Sequence, residues 1–345
     1  MSCCDETTAR VPDTDVSRRA MLKGAVAVAS VVPLAAPRRA AAQTAVKLAY
    51  CSQLLCGVPY EVARSAGHFK RHGLDVELVY TRGGSAAMQA LVGGAVDYAA
   101  TALDVAIQAY ARNAKIKRFV TTGRLPLFAL VTAPKAASTI SSIKDLEGKT
   151  VGVSALGNAD HAVTLYLLKQ AGADAGKVQF ATMGVNLLEA LRQGQIDVGL
   201  VQEPALTLLT RSGARVLVNL MNLADANRYL GGSFEFMGVA VRADEFERRK
   251  PEMTALVGAL GDALRALRMM SGDELIGALP RAMTTGLDTK EFGEILVRYR
   301  DSLYPETAAI DLASARRVAQ SLAAGGLIKP DTDIDGLHDT TIAGG

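Results

Sequence analysis

Tryptophan is absent from the 345 residues, and aromatic side chains amount to only 5% of them. A ligand wall in this chain therefore has to be largely aliphatic. Leu54, Leu55, Met183, Phe234 and Phe236 are the candidates, each of a type that more often sits in the core. Histidine is scarce too, with four in all. His68, His72, His161 and His338 show no metal-ligand constellation. His68 and His72 stand one helical turn apart but lack the glutamate of a zinc-protease motif, and read as a solvated face. Of four cysteines, Cys3 and Cys4 stand in the first few residues, and the two that remain, Cys51 and Cys56, are too few for a disulfide framework. A bridge between Cys51 and Cys56 is possible in sequence, yet short loops strain disulfide geometry, so both states stay open. No Gly-x-Ser-x-Gly elbow, Walker loop or dinucleotide fingerprint occurs, and no cofactor or metal is expected. An excess of charge is missing as well: the formal net charge is +3. Residues 1–42 hold six of the 38 Lys and Arg and four of the 35 Asp and Glu, so the remainder carries +1. That balance gives no field for nucleic acid or a membrane surface.

What stands at the front is an export-like segment. Ser17-Arg18-Arg19-Ala20-Met21-Leu22-Lys23 looks like the twin-arginine motif, with Met where Phe is commoner. The apolar run from Gly24 to Ala36 is too short to span a bilayer, and Ala40-Ala41-Ala42 offers small residues to a signal peptidase ahead of Gln43. A signal peptide over residues 1–42, cleaved near Ala42, and a periplasmic mature chain are expected. Cys3 and Cys4 would leave with the signal.

The mature chain repeats itself. Ala90-Leu91-Val92-Gly93-Gly94-Ala95-Val96-Asp97-Tyr98-Ala99 and the later Glu189-Ala190-Leu191-Arg192-Gln193-Gly194-Gln195-Ile196-Asp197-Val198 both read as helix, glycine cap, aspartate and apolar strand. Around the first copy lie a strand over Val46–Tyr50, a small-residue loop Cys51–Gly57, a helix Val58–His72 capped by Gly73, a strand Leu74–Tyr80, a glycine turn Thr81–Ser85 and a helix Ala86–Val92. Around the second lie a strand Thr150–Ser154, a loop Leu156–His161 leading into a helix that ends at Gln170, a strand Val178–Ala181, a helix Asn186–Gln193 and a strand Ile196–Leu200. Strands separated by helices of this length imply βαβ crossovers and parallel sheets, hence two similar α/β lobes. Phe128–Ala133 reads as a strand leaving the first lobe, Ser142–Lys149 opens the second, and Met237–Arg242 carries the chain back. The expected division is 43–132 for the first lobe, 133–236 for the second, and 237–345 for the return and C-terminal helices. Two crossings make a hinge with a cleft between the lobes.

At this point the residues resemble a known family. The apolar strand, Pro134-Lys135, Ser142-Ile143-Lys144-Asp145-Leu146-Glu147-Gly148-Lys149-Thr150-Val151-Gly152-Val153, the Gly194–Val198 segment and Glu203-Pro204 resemble the periplasmic solute-binding proteins of ABC importers across nearly the whole mature chain. Thr81-Arg82-Gly83-Gly84-Ser85 and Gln202-Glu203-Pro204 are most similar to the nitrate/sulfonate/taurine type, which includes thiamine-precursor binders. Gln202 departs from the pattern, since an aromatic often precedes Glu-Pro there. The resemblance implies an α/β, type II periplasmic-binding-protein fold with parallel-type sheets. It implies a monomer that is not an enzyme, capturing a small organic anion (a sulfonate, taurine, a nitrate-like ion or an aromatic acid) and delivering it to the transmembrane subunits of an ABC permease. Its alternatives are a thiamine-pyrimidine precursor or another heteroaromatic solute, a precursor-synthesis enzyme on the same fold, or a binding module that feeds a sensor.

In open parallel sheets, ligands sit beyond the carboxyl ends of the strands. That rule selects the loops Ser52–Cys56, Arg82–Ser85, Thr101–Asp104, Ser154–His161, Met183–Asn186 and Gln202–Pro204. The candidate binding residues are Ser52, Gln53, Leu54, Arg82, Gly83, Gly84, Ser85, Thr101, Ser154, Gly157, Asn158, Asp160, His161, Met183, Gln202 and Glu203. Helix N-termini at Gly83-Gly84-Ser85 and Gly157-Asn158-Ala159 can hold an oxyanion through backbone N–H groups, or the glycines serve turns alone. Arg82 can grip a carboxylate or sulfonate with two hydrogen bonds, or remain solvated. Asp160 reads as a capping or first-turn residue more than a ligand contact, and His161 as an anion donor or a cap. Glu203 either accepts from a ligand amine or ring N–H, or holds the hinge by accepting backbone N–H groups. Glu252 to Gly326 reads as helical and packed on the first lobe, with Arg265, Arg268, Arg316 and Arg317 on solvated faces. The tail from Pro330 to Gly345 reads as a loose strap.

Overall fold

The computed structural model describes residues 43–51 and 54–344. The expected signal peptide, Ser52 and Gln53 lie outside the described residues. Ten strands are present among them: β1 (Thr44–Cys51), β2 (Leu74–Thr81), β3 (Tyr98–Ala102), β4 (Ile116–Thr121), β5 (Ala129–Thr132), β6 (Thr150–Val153), β7 (Gln179–Thr182), β8 (Val198–Val201), β9 (Val216–Asn219) and β10 (Met237–Arg242). They form two five-stranded sheets, ordered β2-β1-β3-β10-β4 and β7-β6-β8-β5-β9. The two orders describe one topology used twice. In each sheet the first three strands pair in parallel, and one antiparallel strand sits inside the far edge.

The antiparallel strand of each sheet is the one that arrives from the other lobe. After β4 the chain crosses and enters the second sheet as β5, between β8 and β9; after β9 it crosses back and enters the first as β10, between β3 and β4. Two expectations change here. Residues 129–132, counted with the first lobe in sequence, hydrogen-bond in the second sheet, and both sheets are mixed, not purely parallel. The cause is that Ala129–Thr132 is buried along its whole length. A continuous apolar run of that kind fits the interior of either sheet.

The repeated motif has one structural job. Asp97 accepts the Lys47 amide at 2.8 Å and donates its own amide to the Lys47 carbonyl at 3.0 Å, which fastens the start of β3 to β1. Asp197 treats Thr150 identically, at 2.9 and 3.0 Å, and fastens the start of β8 to β6. In the first sheet Gly238 is obligatory: a Cβ there would lie 2.3 Å from the Val120 carbonyl oxygen and 2.4 Å from a guanidinium nitrogen of Arg118. Leu48, Leu91, Val120, Leu130, Val151, Leu191 and Leu200 belong to the continuous apolar core, where each full burial contributes about 1.5–3 kcal/mol.

Helix boundaries differ from the expectation where local signals compete. The segment 58–72 is not one helix. A helix Leu54–Ser65 begins inside the anticipated small-residue loop and tolerates Pro59, Gly67 at φ 71° breaks the run, and His68–Arg71 forms a separate turn. The C-terminal helices Lys250–Met269, Gly272–Ala278, Arg281–Thr284, Thr289–Leu303 and Leu312–Ala324 do more than cover the first lobe. Leu312–Ala324 packs on helices of both lobes. Arg211 of the second lobe pairs with Glu291, and Asn219 donates to the Tyr299 hydroxyl at 3.0 Å. Two of the four arginines assigned to solvated faces are tied down: Arg268 donates to the Tyr304 carbonyl and Arg317 to that of Ser233. The tail is no loose strap either. Ile334, Leu337 and His338 are buried, and His338 bridges to Arg118 beside β4.

Candidate functional site

The carboxyl ends of β1, β2, β3 and β6 meet between the lobes around a small cavity of about 30 Å³. From the first lobe it is walled by Cys51, Cys56, Gly83, Gly84, Ala102, Val105 and Met237; from the second by Ser154, Asn158, Ala159 and Asp160. Phe128 and Phe236, one on each crossing segment, complete the wall as an edge-to-face pair with centroids 5.8 Å apart. A pocket of about 250 Å³ adjoins it past Ser85, Gln108, Arg112, Leu156 and Gly157. A further pocket of about 320 Å³ shares Phe128, Ser154 and Asp160 with it and continues along the second lobe to Gln202 and Glu203.

Two hydrogen bonds join the lobes at this level. Ser85 Oγ donates to Asn158 Oδ1 at 2.6 Å, and Gln108 Nε2 donates to the Gly157 carbonyl at 2.9 Å. Asn158 in turn donates to Ser154 Oγ at 3.0 Å. Helices Gly84–Val92 and Ala159–Gln170 begin at the cavity from opposite sides, so their first-turn N–H groups, unpaired within the helix, converge on it.

The charges near the cavity are mostly negative. Asp160 is buried and accepts from the Ser154 amide, from Ser154 Oγ at 2.9 Å and from the His161 amide at 3.0 Å, yet burial still holds its carboxyl above the ordinary range. Asp104, second residue of the helix Leu103–Ala111, is buried with neither oxygen hydrogen-bonded; burial, assisted by the charge of Asp160, pushes it up to about 7. The buried cation Arg118 donates to the Thr101 and Phe236 carbonyls and pairs with Glu235 at 3.3 Å, its Nε has no partner, and its charge opposes the rise of Asp104. Cys51 and Cys56 are buried and not bridged. Burial drives the Cys56 thiol well above its ordinary value, against a hydrogen bond from Gln202.

The cleft gathers many of the sequence candidates. Gly83, Gly84, Ser154, Asn158 and Asp160 wall the inner cavity, Ser85 and Gly157 the outer pocket, Gln202 and Glu203 the second-lobe pocket. Others stand apart. Arg82 is exposed and lines none of these three spaces. Thr101 is buried with its hydroxyl on the Ala102 carbonyl. Met183 packs beneath, toward Gly152. His161 accepts the Gly157 amide through Nδ1 at 3.1 Å and sets its ring edge-on to Phe180, so it caps its helix. Glu203 accepts the Thr207 amide at 3.0 Å and caps the helix Ala205–Arg211, which is the anticipated backbone contact in a helix instead of the hinge. Leu54 opens the helix Leu54–Ser65.

Sequence reasoning passed over Cys51, Cys56, Ala102, Val105, Phe128 and Met237 as wall residues. The strand-end rule reaches the first four, since each ends a strand or starts the helix behind it; nothing in sequence marks Phe128 or Met237 as facing a cleft. Among the described residues no group of three or more His, Cys, Asp or Glu is placed to hold a metal ion, and no helix is long and apolar enough to cross a membrane.

Comparisons with known proteins agree with this architecture. A protein from Bordetella bronchiseptica RB50 is similar over 87% of this chain and 96% of its own, at 25% identity and a TM-score of 0.78. The alkanesulfonate-binding protein SsuA from Xanthomonas axonopodis pv. citri matches over 87% and 99%, at 18% identity and a TM-score of 0.69. The periplasmic nitrate-binding protein NrtA from Synechocystis PCC 6803 matches over 87% of both chains, at 12% identity and a TM-score of 0.72. These likenesses establish the periplasmic-binding-protein fold. No curated protein matches the sequence. The family described as NMT1/THI5 like matches residues 58–264, more than half of the chain, and the chain belongs to that family.

Proposed function

We propose that the chain is the solute-binding component of an ABC import system, working outside the cytoplasm, and that it closes its lobes on a small organic anion and presents it to the membrane subunits of the permease. The observation that carries this reading is the inner cavity, walled by both lobes at the carboxyl ends of their strands and faced by two helix N-termini. Support comes from structurally similar proteins that bind alkanesulfonate and nitrate. Burial, which raises the Cys56 thiol, disfavours Cys56 as a nucleophile. Twin-arginine export with cleavage near Ala42, and action as a monomer, belong to the same proposal; Arg18-Arg19 and Ala40-Ala41-Ala42 support the export step. A heteroaromatic solute is the second reading, favoured by the Phe128–Phe236 pair in the wall.

The test is a thermal-shift screen of the mature protein against nitrate, alkanesulfonates, aromatic carboxylates and pyrimidine precursors. A ligand at about a hundred times its dissociation constant stabilises the folded form by about 2.7 kcal/mol, enough to displace the melting curve. Stabilisation by one chemical group identifies the solute class. Conversion of any of these compounds by the purified protein, without its transporter, would replace the binding reading with an enzymatic one.

A further inference from the structure

We propose that Cys51 and Cys56 are a site of reversible oxidation: they close to a disulfide when the lobes part, and the disulfide releases Cys56 from Gln202, so that the lobes are held together less firmly. The oxidation and the lobe contact stand without reference to a solute; only their consequence for affinity rests on the solute-binding reading above. Cys51 is the last residue of β1 and Cys56 the third of the helix Leu54–Ser65. Both line the inner cavity, unbridged. The two thiols lie within hydrogen-bonding reach of each other, and Gln202, the residue after β8, donates to the Cys56 sulfur. The cysteines belong to the first lobe and Gln202 to the second, so that hydrogen bond crosses the cleft.

The step takes a disulfide oxidant such as oxidised glutathione. The Cys56 thiolate attacks one oxidant sulfur and expels a thiolate; the Cys51 thiolate then attacks the Cys56 sulfur of the mixed disulfide and expels the second. Each cysteine gives up one proton, and the oxidant takes both, with two electrons, to leave as two thiols. Lobe position controls the first attack. Burial raises the Cys56 thiol, and Ser154, Asn158, Ala159 and Asp160 of the second lobe form part of the wall that encloses it. Parting the lobes takes that wall away, admits the oxidant and leaves Cys56 in a first helical turn, where unpaired N–H groups favour a thiolate. The bridge is also easily undone. Cys51 is held by its pairing with Thr81, and the Tyr304 hydroxyl donates to the Leu55 carbonyl at 2.8 Å, so neither backbone is placed to relax around a short loop. A disulfide formed under such constraint is readily reduced. Turning toward Cys51, the Cys56 sulfur gives up the hydrogen bond from Gln202, and on the solute-binding reading affinity falls about fivefold.

The experiment uses the mature protein, unfolded and refolded to release any bound solute, then equilibrated in buffers of reduced and oxidised glutathione. Thiols are trapped with iodoacetamide after acid quenching and counted by mass spectrometry. Cys51 and Cys56 should both be alkylated from the reducing buffer and neither from the oxidising one, with the protein then lighter by two hydrogens and the change reversed by dithiothreitol. X-ray scattering should give the oxidised protein a larger radius of gyration than the reduced one. Reduced Gln202→Ala should already have the larger radius, and Cys51→Ser should keep the smaller one in oxidised glutathione; the comparison within the unaltered protein does not depend on either variant's folding. Two thiols that survive the oxidising buffer, a glutathione adduct or disulfide-linked dimer in place of the internal bridge, or a bridge that leaves the radius unchanged overturns the proposal. Because no solute enters the experiment, each of these results leaves the solute-binding reading intact.

Discussion

Ser85 Oγ donates to Asn158 Oδ1 at 2.6 Å, joining the first turn of a helix in one lobe to the residue that starts a helix in the other. Ser85 lines the outer pocket and Asn158 the inner cavity, so the bond stands between the two spaces. A hydrogen bond of this kind contributes about 1 kcal/mol net. Ser85→Ala should accordingly speed ligand release about fivefold in stopped-flow measurements and enlarge the ligand-free radius of gyration in X-ray scattering. An unchanged release rate would show that Ser85–Asn158 does not hold the lobes together.

A second expectation concerns pH. Burial pushes Asp104 up to about 7 and also raises Asp160 and Glu235, with Arg118 the cation that faces Asp104 and Glu235. An acid that is harder to ionise when folded binds its proton in the folded state at pH values where the unfolded chain has lost it. Its stabilising contribution is therefore complete below about pH 4 and disappears as pH rises through about 7. Melting temperatures should fall over that window, and in Asp104→Asn the fall should be shallower, with Asp160 and Glu235 supplying what remains. A wild-type curve that rises from pH 4 to 7 would contradict the assignment.

Asp97 and Asp197 offer a paired test of the repeated topology. Each loses a strand-fastening hydrogen bond when replaced by alanine, but Asp97 also pairs with Arg249 at 2.5 Å. Urea unfolding should show about 1–2 kcal/mol lost in Asp197→Ala and a larger loss in Asp97→Ala, which removes one of the three carboxylates paired with the buried Arg249 guanidinium. Equal losses would mean that the Arg249 pair adds nothing.

Glu203→Ala separates capping from ligand contact. Removing the cap of the helix Ala205–Arg211 should cost about 1 kcal/mol of stability while affinity stays within about tenfold. Loss of all binding would move Glu203 into the ligand site.

Much of this architecture was legible because two lobes built from helix, glycine and strand repeat the same local grammar, and because the strand-end rule points at loops regardless of which residues fill them. Gly83, Gly84, Ser154, Asn158 and Asp160 were reachable on that basis alone. The sheet membership of Ala129–Thr132 was not, since a short run buried on both faces carries no mark of its partners. Arg82 stayed open in sequence for a related reason: its type suits an anion as well as a solvated face, and the side chain is exposed. Asp104 fell within a flagged loop and still went unread, because an acid in a first helical turn ordinarily faces water, and only the packing of Ala102 and Val105 into the cavity wall reveals that this one does not.

The position of β10 has a consequence for how the protein is made. It lies between β3 and β4, yet it is the last strand to be synthesised. A ribosome releases β5 to β9 as one uninterrupted stretch, so the second lobe can complete its sheet while β3 and β4 still present unpaired backbone edges to each other. The lobe that is begun first is thus the one whose sheet is completed last.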